Sequence, residues 1–392
     1  MEIKGQGKGP SAHRFKNFAW PTEQRFWDDL MYNSSKWGLF QYEQDWLDTE
    51  YDNVVHLNTN ASAARTWLMQ MGLGAQRNDL TIQYCMSHCR HIMQSVEIPA
   101  VTNARASGDY HAGSDQWRPL GGTGIFGWAV AIAPTKDNYW STDVQTGSAY
   151  GDHATIKEPY NRLQAVVSTL SKGPVAPSDK IGRSDAKLIM RSCAADGRLL
   201  QGDKPAMIID SLHVTEAFSG AANKGAAGEV WATHTDLDGS KFGVVMGAVL
   251  SDDITVDAAK ELGLSGKYVH YETNSTGIVV SGSSLAFKKC GKWDFQLWSL
   301  SPVLSSGWAL LGETNKWVPV SKARFHDLAT ATSGKDSSVS VTAVGPEGEK
   351  ISVAFLPPGA KSPTVVECTI PRGSSVSVRV GTANKAGSCV AI

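Results

Sequence analysis

The chain is poor in several things. It has 6 cysteines in 392 residues, too few for a disulfide framework to stand in for a core. Charged residues make up 19% and nearly cancel, 37 Lys+Arg against 38 Asp+Glu. Without a basic surplus no field draws in nucleic acid or an anionic membrane, so neither is expected as a partner. No apolar run approaches the length of a membrane span. The Gly-x-x-x-x-Gly-Lys-Ser/Thr loop of nucleotide-binding proteins is missing, and so is the Gly-x-Ser-x-Gly elbow of serine hydrolases. The first fifteen residues, MEIKGQGKGPSAHRF, carry no apolar stretch behind their lysines and do not read as a signal peptide. A cytoplasmic setting is expected if Met1 is the natural start, and a secreted one if a leader precedes it. Asn33, Asn60 and Asn274 open N-x-S/T sequons, which matter only in a secretory setting.

What is present is an ordinary hydrophobic share of 42%, with 13 Trp and 38 Gly. After a ragged lead over residues 1–18, the spacing of Trp27 and Leu30 predicts a helix over 22–33. LFQYEQDWL (residues 39–47) reads as a strand opening into a loop. Ala64, Trp67, Leu68, Met71 and Ala75 recur at helical spacing, behind a cap at Asn60 or Ser62. Strands are expected at 80–86 and 100–106, with a short helix over 90–96 between them. GPVAPSD is expected as a short strand, and helices are expected over 158–171 and 185–194.

This β–α–β alternation predicts a parallel sheet of (β/α) barrel type. Polar clusters at the strand ends, EQD, MSH, ASGD and PSD, fit the face where barrels of this kind place their chemistry. Beyond residue 210 helical spacing fades, and Gly, Asp and Ser turns separate strand-like runs. The expected organisation is a barrel portion over 1–210 and a mainly antiparallel β-sandwich region over 211–392. Cys85 and Cys89 stand at the spacing of a metal pair, but no second pair follows and they read as buried thiols, and Cys368 and Cys389 flank a strand-rich tail in which they could pair.

Two carboxylate clusters stand out. Glu43, Asp45, Asp48, Glu50 and Asp52 follow one strand, and Asp109 and Asp115 follow another. A glycosidase needs two carboxyl groups facing each other across a sugar ring, and Asp45 with Asp109 meets that requirement in principle. His88 is a candidate contact to substrate hydroxyls, while His91 reads as structural. Arg105 and Asp109 lie at even spacing on one strand face. A metal-dependent hydrolase built on His88, Asp109 and His111 is a rival reading, although no metal or cofactor is expected.

Several segments resemble raffinose synthases, seed-imbibition proteins and alkaline α-galactosidases, within the wider clan of retaining α-galactosidases. They are TIQYCMSH, ARASGDY, SDKIG and LIMRSCAADGRLL, then FQLWSLSPV and WALLGETNKW, in family order. The resemblance implies a TIM-like (β/α)8 barrel with a β-rich C-terminal region and an oligosaccharide or glycoside substrate. It implies Asp109 as general acid/base and Asp45, in FQYEQDW, as nucleophile. Arg105 matches the arginine before the acid/base, and Asp179 and Lys180 match a rim turn. Trp46 and Trp117 become candidate sugar platforms.

Two departures follow. Glu43 stands where the family has a lysine, removing a cation beside the nucleophile. The family also places three barrel strands before the nucleophile-bearing one, and a complete barrel spans about 250 residues. Only 38 residues precede Leu39, and they hold no convincing strand. A missing N-terminal segment or another chain is therefore expected to complete the barrel. An open barrel is expected to expose apolar strand faces and edges, leaving the chain alone poorly stable or inactive. A catalytically inactive carbohydrate-binding homologue is the alternative that these departures favour.

Overall fold

The structure, a computed structural model, describes residues 19–145, 157–218, 228–273, 279–282, 284–291, 294–384 and 386–392. The lead over 1–18 and the sequon at Asn274 lie outside the described residues. Two compact units divide the chain, 1–108 with 123–136, and 109–122 with 137–392. The composition change near residue 210 instead marks where antiparallel strands take over within the second unit.

The first unit is a partial (β/α) barrel sheet. Its strands are β1 (Gln41–Gln44), β2 (Thr81–Tyr84), β3 (Val101–Arg105) and β4 (Ala133–Thr135), parallel and in that order. Helix α1 (Gln24–Ser35) precedes β1, and α2 (Leu47–Asn53), α3 (Val55–Thr59) and α4 (Ala63–Gln76) connect β1 to β2. α5 (Cys89–Gln94) leads to β3 and α6 (Leu120–Ala129) to β4. The apolar spacing read from the sequence is the buried stripe of α4, where Ala64, Trp67, Leu68, Met71 and Ala75 enter the core with Trp27 and Met31 of α1. Gly74 permits that approach, since a Cβ there would lie 2.9 Å from Trp27 Cβ.

One expectation is corrected. The open sheet does not present an apolar inner face. Gln41, Thr81, Gln83 and Asn103 share one side, linked by side-chain hydrogen bonds. Gln41 Nε2 donates to Asn103 Oδ1 at 2.6 Å and to Thr81 Oγ1 at 3.2 Å, and Asn103 Nδ2 donates to Gln83 Oε1 at 2.6 Å. Ile82, Tyr84 and Ala104 turn the other way into the helix-covered core. A face of paired amides tolerates water where Val, Ile or Leu would not. Exposed apolar side chains of this unit include Trp37 and Phe40, just before β1.

The second unit opens with α7 (Asn161–Leu170) and α8 (Ala186–Ile189). GPVAPSD forms no strand beyond a single bridge from Pro177 to Tyr139, because its prolines cannot donate to a ladder. The helix expected over 185–194 is only four residues long, started by the Asp185 side chain accepting from Leu188 N–H. β5 (Met207–Ile208), followed by α9 (Asp210–Phe218), joins five later strands in a six-stranded antiparallel sheet. Its order is β10-β9-β12-β7-β6-β5, with β6 (Glu229–Leu237), β7 (Ser240–Ala248), β9 (Tyr268–Glu272), β10 (Val279–Ser281) and β12 (Phe295–Pro302). Between these come β8 (Ile254–Asp257), α10 (Ala258–Leu262) and β11 (Ser284–Phe287), the last pairing with β8.

The C-terminal sandwich follows. One sheet holds β13 (Ala309–Gly312), β16 (Lys350–Leu356) and β17 (Thr364–Thr369). The other holds β14 (Phe325–Ser333), β15 (Asp336–Val344), β18 (Ser375–Gly381) and β19 (Ser388–Ala391). Val339, Val341, Val353, Phe355, Val378 and Val380 alternate inward to build its core. Cys368 on β17 and Cys389 on β19 are disulfide-bonded. The polar run over 333–340 contains a tight hairpin. Ser333 pairs with Asp336, and Gly334 takes the left-handed φ of +61° that the turn requires. Among the described residues no helix is long and apolar enough to cross a membrane.

Candidate active site

In the first unit the site forms where β1, β2 and β3 end. Cys85 follows β2 and is buried, with its N–H donating to the Gln44 carbonyl at 2.9 Å. Burial pushes its thiol up, helped by a hydrogen bond to Asp45 and by the charge of Glu43, and opposed by Arg105. Asp45, Glu43 and Arg105 thus all lie within electrostatic reach of this thiol. Asp45 itself is exposed, and its Oδ1 accepts from Trp46 N–H at 2.7 Å. Trp46 is 44% exposed and sits in the left-handed region at φ 59°. A side-chain-bearing residue held there implies that its surroundings fix it.

Glu50 is the residue that the sequence offered only as one acid in a cluster. Gln44 Nε2 donates to Glu50 Oε2 at 3.1 Å, and Tyr42 Oη donates to Gln44 Oε1 at 3.0 Å. Burial, and then the neighbouring Asp45, push Glu50 up to about 7. Burial, and then Glu50, push Tyr42 up to about 12. No motif marks Glu50. Its environment comes from a helix folding back over the end of β1.

This shift has a consequence for stability. The folded chain holds the Glu50 proton more tightly than the unfolded chain, whose carboxyl titrates near 4.5. The stabilisation is complete below that value and is lost as pH rises to about 7. Glu50→Gln should therefore flatten the stability profile across that range, by about 1–3 kcal/mol. Urea unfolding at pH 4.5 and pH 8 checks this, and parallel profiles for both proteins would contradict it.

His88 caps α5 and pairs with Asp52, Nε2 to Oδ1 at 3.0 Å. Its ring stacks on His91 with centroids 5.7 Å apart. His91 is buried and structural, its Nδ1 accepting from His88 N–H at 3.0 Å. Burial, with Arg90 and His88, lowers it to about 3.

In the second unit, Asp109 is exposed at the head of a loop. The next residue anchors that loop. Tyr110 is buried, its N–H donates to Asp137 Oδ2 at 2.6 Å, and its hydroxyl donates to Glu158 Oε2 at 2.9 Å. Glu158 is fully buried and also accepts from the N–H groups of Gly113 and Tyr160. Asp179 is a loop clamp. It accepts from Ser141 N–H at 2.8 Å, from Ser141 Oγ at 2.5 Å and from Gln145 Nε2 at 2.9 Å. Lys180 is exposed, with its N–H donating to Gln145 Oε1 at 2.9 Å.

Trp117 is corrected. It is fully buried and packs edge-on against Trp231, centroids 5.4 Å apart. It offers no face to a sugar and serves as core. The structure therefore brings Glu43, Asp45 and Arg105 together with Trp46 beside them, and sets His88 against Asp52. Asp109, Asp179 and Lys180 belong to the other unit. Among the described residues no three His, Cys, Asp or Glu side chains come together as a metal-ligand set; His88 lies in the first unit, and Asp109 and His111 in the second.

No family model matches the chain, and no curated protein does. Solved structures similar to it include a GH27 β-L-arabinopyranosidase from Geobacillus stearothermophilus. That likeness has 12% identity and a TM-score of 0.49, over 72% of this chain and 62% of that one. An arabinose-bound variant of the same enzyme gives 12% identity and a TM-score of 0.48 over the same shares. Amy13B of Eubacterium rectale is similar at 10% identity and a TM-score of 0.37, over 72% of this chain and 63% of that one. The chain thus spans less than two thirds of the length of each.

Proposed function

We propose that the protein is a retaining glycoside hydrolase or transglycosidase acting on α-linked sugars, foremost α-galactosides. Asp45 attacks the anomeric carbon while protonated Asp109 gives its proton to the leaving oxygen as the glycosidic bond breaks. The resulting glycosyl-enzyme is ester-linked through Asp45. Asp109 then takes a proton from water or from a sugar hydroxyl, whose oxygen displaces Asp45 with net retention. Trp46 offers an exposed indole face beside the nucleophile.

The supporting observation is the gathering of Asp45, Glu43 and Arg105 around Cys85 at the C-terminal ends of parallel strands, the end at which (β/α) barrels carry out their chemistry. A further segment or chain supplying the remaining barrel strands belongs to this reading. The test is proton NMR of an aryl α-galactoside during turnover. α-Galactose should appear first and mutarotate afterwards. β-Galactose appearing first would replace retention with inversion.

A second reading, a sugar-binding protein without turnover, is favoured by Glu43, which puts a carboxylate where a cation would assist the nucleophile. Glycan binding by a folded chain that leaves every α-galactoside intact would select it.

A further inference from the structure

We propose that Glu50 is a positioning residue for Asp45, gripping the turn on which the Asp45 carboxylate stands. Glu50 holds this turn at two points. Its backbone N–H donates to the Trp46 carbonyl at 2.8 Å. Its carboxyl accepts from Gln44 Nε2, and the same nitrogen donates to the Asp45 carbonyl at 3.0 Å. Gln44 is 7% exposed, and Tyr42 occupies its amide oxygen. One buried amide thus ties strand, turn and helix together. Between the ties lies Trp46, whose positive φ a relaxed chain would avoid. Its N–H aims at the Asp45 carboxylate, so the strained residue that Glu50 helps to hold also orients Asp45.

The ionisable group that acts on Glu50 is Asp45, from the turn, and Glu50 itself acts on Tyr42, from β1. Glu43 and Arg105 act on Cys85 beside Asp45. The Glu50 proton exchanges near pH 7, so charge changes next to Asp45 in the neutral range. Ionised Glu50 also accepts more strongly from Gln44 than protonated Glu50 does.

The consequence for turnover rests on the nucleophile reading of Asp45, whereas the grip itself does not. The full chain, labelled with 13C at aspartate carboxyls, tests the grip directly. The Asp45 resonance, assigned by loss in Asp45→Asn, should move through an inflection near pH 7, and Glu50→Gln should remove that movement. An Asp45 resonance unaffected by replacing Glu50 overturns the proposal.

In turnover, Glu50→Ala should lower kcat by about tenfold or more with a smaller change in KM, since displacing a reacting group by about 1 Å costs up to about a hundredfold. Glu50→Gln, which can still accept from Gln44, should recover most of that loss. A folded Glu50→Ala protein with wild-type kcat overturns the proposal. A chain that turns over no glycoside while Asp45 still follows Glu50 supports the grip and defeats the nucleophile reading.

Discussion

Asp45→Gly is expected to abolish turnover of an aryl α-galactoside, by about 10⁴-fold or more, the scale on which removing a nucleophile acts. Without its carboxylate no glycosyl-enzyme forms, and water lacks a base on that face of the sugar. Glycine leaves room where the side chain stood, so azide should restore part of the rate. The anion would attack from the side that Asp45 occupied and give the β-galactosyl azide. In the proposed mechanism Asp109 would still protonate the leaving oxygen, which makes that rescue possible. The substitution touches an exposed side chain, so the melting temperature should change little. Product analysis and initial rates check both halves. Unchanged activity would remove Asp45 as nucleophile, and loss without rescue would leave it a structural part of the turn.

Arg324→Ala is expected to cost about 3–5 kcal/mol of stability. Arg324 is fully buried, and its guanidinium donates to carboxylates and a carbonyl. Its Nε donates to Glu313 Oε2 at 2.7 Å, its Nη2 to Glu349 Oε1 at 2.6 Å, and its Nη1 to Glu349 Oε2 and the Val344 carbonyl, each at 2.7 Å. Glu349 Oε1 also accepts from Ala195 N–H, tying the 191–198 turn to the sandwich. Burial works to raise Glu349, yet the Arg324 fork and that N–H outweigh it and hold the carboxyl below its ordinary range. Glu313 is held above its range by burial, which Arg324 only partly offsets. Alanine would leave the buried Glu313 and the half-buried Glu349 without their guanidinium partner. Glu313→Gln should cost less, about 1–2 kcal/mol, because the bidentate pair with Glu349 survives. Denaturant melts of the three proteins check the order. Equal stability of Arg324→Ala and wild type would show that the buried charges are relieved by other means.

The β–α–β alternation was legible because α4 and its flanking strands follow simple apolar spacing. Trp67, Leu68 and Met71 meet the core wherever the rest of the chain goes. The sandwich was legible through its alternating strands. GPVAPSD reads as a strand because its apolar residues outweigh its missing N–H groups. Trp117 was misplaced because an indole reads alike in a core and in a sugar site. Asp45 and Arg105 stood out by position at strand ends. Glu158 did not, since its partners Tyr110 and Gly113 are distant in sequence, and Glu50 did not, since its burial arises only when its helix folds back over β1.

By itself the sequence determined the fold class, the near-neutral charge, and the strand ends that carry carboxylates, for each follows from local spacing and composition. The tertiary structure decided that the inner face of the partial barrel is a hydrogen-bonded amide layer, that Cys85 marks the meeting of Asp45, Glu43 and Arg105, and that Glu50 keeps its proton toward neutral pH. Those outcomes depend on which side chains exclude water from one another, and water is excluded only by elements that the chain brings together from far apart.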